Sequence, residues 1–113
     1  MGNLFPITKT ATIATGQTAS NVVDLEGYTL VGLEIGSAFD GTALSVKGSA
    51  VDSATPVTIT DTGGNAMEIT GVAASELVSI NANAMLAVRY LQLVAGTSQT
   101  GATTITCICR EIR

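Results

Sequence analysis

The stretch from Tyr28 to Thr60, YTLVGLEIGSAFDGTALSVKGSAVDSATPVTIT, decides the fold. It reads as three strands joined by two turns. In the first strand Thr29, Val31, Leu33 and Ile35 fall on one face, and Tyr28, Leu30, Gly32 and Glu34 on the other. In the second, Leu44 and Val46 point one way and Ser45 and Lys47 the other. A period of two is the mark of half-buried antiparallel strands. Between them, Ala38-Phe39-Asp40-Gly41 is a turn, because Gly41 accepts the positive φ that a tight reversal demands. The third strand is Thr55 to Thr60, and Pro56, which has no N–H to donate, assigns it to an edge or a strand start.

Outward from this centre the chain supplies further strands. Ile7 to Thr15 is rich in Thr and Ile, the residues that suit a pleated surface. Ala19 to Leu25 is short and extended, with Val23 and Leu25 on one face. Asp61-Thr62-Gly63-Gly64-Asn65 is the strongest turn signal and predicts a hairpin of Thr55–Thr60 with Ala66–Thr70. Gly71 to Asn83 is read as a loop with a local helical turn over Ala73–Ser79, against the alternative of a loop and a short strand. Met85 to Ala95 reads as one strand apolar on both faces, with Leu86, Val88 and Tyr90 on one and Ala87, Leu91 and Leu93 on the other. Such a strand is either central or set against another subunit. Ala102 to Ile112 closes the chain with Ile105, Cys107 and Cys109 alternating against Thr104, Thr106, Ile108 and Arg110. The sum is an all-β fold: a single antiparallel β-sandwich, jelly-roll-like, of about eight short strands over residues 7–113. Residues 1–6 form an extended N-terminal arm, since Pro6 holds Phe5 out of the helical region.

Composition excludes several classes of function. The 113 residues suit one domain. Apolar residues make up 46% and charged residues only 12%, about half the usual charged share of roughly 25%. Mean hydropathy is +0.45. No stretch reaches the roughly 18 apolar residues of a membrane-spanning helix. Met1 to Pro6 also lacks the basic start and apolar core of a secretory leader, and Pro6 stands where a myristoylation motif has Ser or Thr. The excess of apolar residues instead points to burial against copies of the chain or a partner. Net charge is −4. Lys9, Lys47, Arg89, Arg110 and Arg113 are scattered, whereas phosphate-backbone binding needs clustered cations, so no nucleic acid partner is expected. There is no histidine, which removes Ser-His-Asp and Cys-His catalysis and most zinc and copper sites.

The remaining candidate chemistry is sparse. Cys107 and Cys109 share one face of a strand, about 6.5 to 7 Å apart with parallel Cβ vectors, a poor geometry for a disulfide. They read as small buried hydrophobes, and as reduced thiols they are compatible with assembly in a cytoplasm. Asp40, Asp52 and Asp61 occupy successive turns; carboxylates at one end of a sandwich can bind calcium, but Asp is also a routine turn residue. Arg89 and Arg110, set within apolar strands, are expected to pair with Glu34, Glu68 or Glu111, against the alternative of docking an acidic partner. Gly63-Gly64 has neither the following Lys nor the helix start of a phosphate loop. No catalytic residue, metal site or cofactor is assigned, and the chain is read as a non-enzyme.

Leu30-Val31-Gly32-Leu33, Asp40-Gly41-Thr42-Ala43-Leu44-Ser45-Val46, Pro56 to Asn65 and Tyr90 to Gly96 together resemble the strand-and-turn pattern of small tailed-bacteriophage virion proteins, the head decoration (cement) or fibre-base type. The resemblance covers most of the chain and departs at Ser53-Ala54-Thr55, where the family carries a Trp. It implies a β-sandwich without enzymatic activity, assembled in the host cytoplasm and located in the virion. It further implies self-association, often as a trimer, and binding to the major capsid protein or another virion protein. A tail or head–tail connector component is the alternative within this class. A carbohydrate-binding module is the alternative outside it, and would need exposed platforms from Phe5, Phe39, Tyr28 or Tyr90. A carboxylate hydrolase is a third reading, against which the absence of histidine weighs. The residues expected at the interface are Leu4 and Phe5 of the arm and Leu86, Val88, Tyr90, Leu91 and Leu93 of the two-faced strand.

Overall fold

The computed structural model describes residues 6–51, 55–60, 62–81, 85 and 87–111. Among these residues nine short strands form two antiparallel sheets: β1 (Ile7–Ile13), β2 (Val23–Asp24), β3 (Thr29–Ile35), β4 (Ala43–Ser49), β5 (Val57–Thr58), β6 (Glu68–Thr70), β7 (Leu77–Ser79), β8 (Tyr90–Ala95) and β9 (Thr103–Arg110). The first sheet runs β1-β9-β3-β7. The second runs β2-β8-β4, with β5 and β6 sharing the outer edge of β4. The all-β, two-sheet architecture expected from the alternation is the one observed.

The inner faces supply the core. On β4, Leu44 and Val46 are buried while Ser45 and Lys47 are half-exposed. On β9, Thr103, Ile105, Cys107 and Cys109 point inward. Leu25, Leu30, Leu33 and Met85 fill the space between the sheets. Fully burying each such side chain contributes roughly 1.5–3 kcal/mol. Few large apolar side chains among the described residues remain in water: Val22, Val51, Val57 and Leu77. Much of the high apolar content is therefore spent inside the single chain. Threonine, serine and glycine, rather than charge, make up much of the surface.

The structure departs from the sequence reading in five places. β3 carries a bulge between Leu30 and Gly32. A bulge places one extra residue in the strand and shifts the alternation behind it. Leu30 and Leu33, expected on opposite faces, are thus both buried. Asp40-Gly41 does not close a hairpin; it carries the chain from β3 in one sheet to β4 in the other, with Gly41 at φ +108°. Gly71 to Asn81 holds no helix: Leu77–Ser79 is a strand pairing with β3, led in by hydrogen bonds from the Ser75 N–H to the Ile35 carbonyl and from the Ile35 N–H to the Glu76 carbonyl. The strand expected from Met85 begins only at Tyr90. The predicted hairpin forms in part, through a Thr60–Ala66 bridge, before its two arms join β4.

β3 ends where the backbone of β9 comes close. A Cβ built on Gly36 would lie 2.4 Å from the carbonyl oxygen of Thr104. Backbone cannot yield as a side-chain tip can. Gly36→Ala is expected to cost about 1–3 kcal/mol, read as a lowered denaturant midpoint; an unchanged midpoint would show that the close approach does not constrain the sheet.

Candidate interaction surface

The two ends of the sandwich are built differently. One end gathers the β1–β2, β3–β4 and β8–β9 connections around Gln99, which is only 1% exposed. Its side-chain NH2 donates to the carbonyls of Asp40 and Thr97, and its side-chain oxygen accepts from the Asp40 N–H and the Thr103 hydroxyl. Its backbone carbonyl accepts from Gly16 N–H, and its own N–H donates to Gln17. Asp40 adds a second tie, accepting from both the N–H and the hydroxyl of Thr100 at 2.8 and 2.7 Å. These two bonds hold the Asp40 carboxyl below its ordinary value of 3.8. Asp52 and Asp61 lie outside the described residues, so the expected cluster of turn carboxylates is represented by Asp40 alone. Its Oδ2 serves the fold. Among the described residues no three His, Cys, Asp or Glu side chains come together as metal ligands.

The thiols are equally inert. Cys107 and Cys109 are free and fully buried. Burial, with a smaller contribution from Cys109, pushes the Cys107 thiol up to about 12. Burial also raises Cys109, against the lowering effect of Lys9. A nucleophilic cysteine needs the opposite shift.

The other end of the sandwich carries an open, apolar-lined groove of about 360 Å³. Its walls come from Gly48 and Ala50 at the end of β4, Val57 and Ile59 around β5, and Ala87 and Val88 before β8. Gly48 lets Val88 and Ile59 pack close over the end of β4: a Cβ there would sit 2.9 Å from Val88 Cγ1 and 3.1 Å from Ile59 Cδ1. Val57, on the wall, and Val51, just beyond it, are each 64% exposed. No charged side chain lines this space among the described residues.

The residues expected at an interface are divided by the structure. Leu91 and Leu93 are 0% exposed and face the opposite sheet. They belong to the core, because β8 lies between β2 and β4 and has one face turned inward. Val88 is half-buried and lines the groove. Tyr90 is half-buried on the outer face of β8. Leu4, Phe5 and Leu86 lie outside the described residues. The alternation missed Ala50, Val57 and Ile59, which look unremarkable in sequence and become neighbours of Val88 only through the β4–β5 pairing.

Arg89 finds a different partner from those expected. Arg89 Nε donates to Asp24 Oδ1 at 3.1 Å, with its guanidinium 5.3 Å from the Tyr90 ring centroid. Asp24 sits opposite Tyr90 in the β2–β8 pair. The expected partners Glu34 and Glu68 lie on strands that do not pair with β8. Lys9 pairs with Glu26. Phe39, one of the aromatics needed for a sugar platform, is buried in the core. Comparison with family models, curated proteins and solved structures finds no match to this chain.

The Asp40 tie sets a pH dependence. A carboxyl lowered in the folded state stabilises at pH above its unfolded value, and that stability is lost as pH falls through the folded value. Asp40→Asn is therefore expected to melt lower than the parent chain near pH 7. The gap should close as pH drops below 3.8. A gap that persists unchanged at pH 2 would assign the effect to something other than the charge.

Proposed function

We propose that this chain is a structural virion protein, a decoration or cement module that self-associates and attaches to a tailed-phage head shell. The observation that carries the reading is the apolar-lined groove beside Val57 and Val51, in which no charged side chain stands among the described residues. A surface patch of this kind suits docking onto another protein. The segments that resemble such virion proteins support it, because they form framework here: Leu30–Leu33 within β3, Ala43–Val46 within β4 and Tyr90–Ala95 as β8. The mechanism is burial of surface without chemistry. A specific contact needs about 800 Å² from each partner, and repetition over a shell multiplies a modest single-site affinity.

The test is co-sedimentation of the purified protein with empty tailed-phage heads stripped of their own decoration proteins. The wild-type chain is expected to pellet with the heads. Val57→Asp, which alters an exposed side chain and leaves the core intact, is expected to weaken binding about tenfold or more, the effect of losing roughly 1.4 kcal/mol at an interface. Wild-type protein that stays in the supernatant with every head tried overturns the reading. Equal binding by Val57→Asp removes the groove from it.

A further inference from the structure

We propose that the free edge of β1 pairs with the same edge of a second copy, antiparallel and about a twofold axis at Lys9. The inference gives a surface to the self-association in the reading above and rests on that part of it. β1 has seven residues and lies at the end of its sheet. The other strands at sheet margins, β2, β5, β6 and β7, have two or three. A long edge strand offers a row of unpaired N–H and C=O groups as a template for another chain.

The register follows from which groups are free. Thr12 turns its N–H and C=O away from β9: the N–H donates to Asn21 Oδ1 at 2.7 Å and the carbonyl accepts from the Asn21 N–H at 3.3 Å. In an antiparallel ladder, residues alternate between exchanging both bonds with the partner and exchanging neither. Thr8 and Thr10 share the parity of Thr12, so their backbone groups also face the open edge. Both residues are exposed. Pro6, next in the same parity, has no N–H to give. The open window is thus bounded by Pro6 on one side and by the Asn21 cap on the other. It holds two donors and two acceptors, those of Thr8 and Thr10. Setting Thr8 against Thr10 of the second copy, and Thr10 against its Thr8, engages all of them in four hydrogen bonds.

Side chains agree with this placement. On the outer face the threonine pairs Thr10–Thr106 and Thr12–Thr104 already span β1 and β9. The new pairing continues that ladder with Thr8–Thr10 contacts, a favourable cross-strand combination. Lys9 is the one charge on β1. Its ammonium is matched by Glu26 of its own chain, so the two lysines that meet at the axis arrive neutralised. Val22 is exposed beside the Asn21 cap and adds an apolar contact at the margin of the same edge. An isologous contact of this kind closes at two copies.

Thr10→Pro is the informative variant. It deletes an N–H that the single chain does not use, at an exposed edge position where proline is tolerated, and puts ring carbon where the partner would approach. Thr10→Val keeps the N–H. Light scattering across a dilution series is expected to give a mass twice the 11.4 kDa of the chain for wild type and Thr10→Val. For Thr10→Pro the dissociation midpoint should move about tenfold or more toward the monomer, with unchanged circular dichroism and melting. A wild-type chain monomeric at all concentrations overturns both the pairing and the self-association it rests on. An oligomer that Thr10→Pro leaves intact overturns the pairing alone. Should Thr10→Pro misfold, amide exchange at Thr8 and Thr10 of the wild type decides: slowing as the oligomer forms supports the pairing, and fast exchange within the oligomer overturns it.

Discussion

The fold depends on one buried amide. Gln99 sits where three connections meet, and every polar atom of its side chain is used. Two sheets of short strands can slide and splay unless their connections are held. Here the β3–β4 crossover is fixed to the β8–β9 turn through the Asp40 backbone, and the β1–β2 connection is fixed to the same residue through Gly16 and Gln17. An unpaired buried polar group costs about 1–3 kcal/mol, so the network favours a single arrangement over its near alternatives. Asp40 and Thr100 tie the same junction from the outside.

With one end clasped, the opposite end is where the surface opens. Val88 and Ile59, packed close over Gly48, form the walls of the groove. The long edge of β1 is a second place where polar backbone is left open. The thiols are buried, which raises the Cys107 thiol to about 12, and Asp40 is occupied as a structural acceptor. Among the described residues the molecule presents apolar surface at the groove and an open strand edge at β1. Those features support the proposed role in a shell.

The parts legible in the sequence are those governed by period-two alternation. β4 and β9 show it cleanly, since each keeps one face in the core and one toward solvent, and their buried sets were as expected. Val23 and Leu25 shared a face as read. The reading failed where a non-local pairing intervened. The bulge at Val31 is a feature of how β3 meets β9, and no local signal marks it. Leu77–Ser79 becomes a strand only because β3 has a free side to receive it. Leu91 and Leu93 looked like interface residues because β8 is apolar on both faces; the second sheet that covers them is assembled from distant segments. Gln99 lies in a polar turn, GTSQTG, and nothing in that string separates it from an ordinary surface glutamine. Asp24 likewise gave no hint of Arg89, 65 residues away.

The central claim is a division between a clasped end and an open one, and native-state amide hydrogen exchange tests it most directly. The amides of Gly16, Asp40, Gln99 and Thr100 are each hydrogen-bonded within the junction. They should exchange close to the slow rate of the central strands, as groups released only by global opening do. The amides of Ala50 and Ala87 at the groove should exchange far faster. Equal, rapid exchange at both ends would contradict the account and leave the core alone as the source of the fold's rigidity.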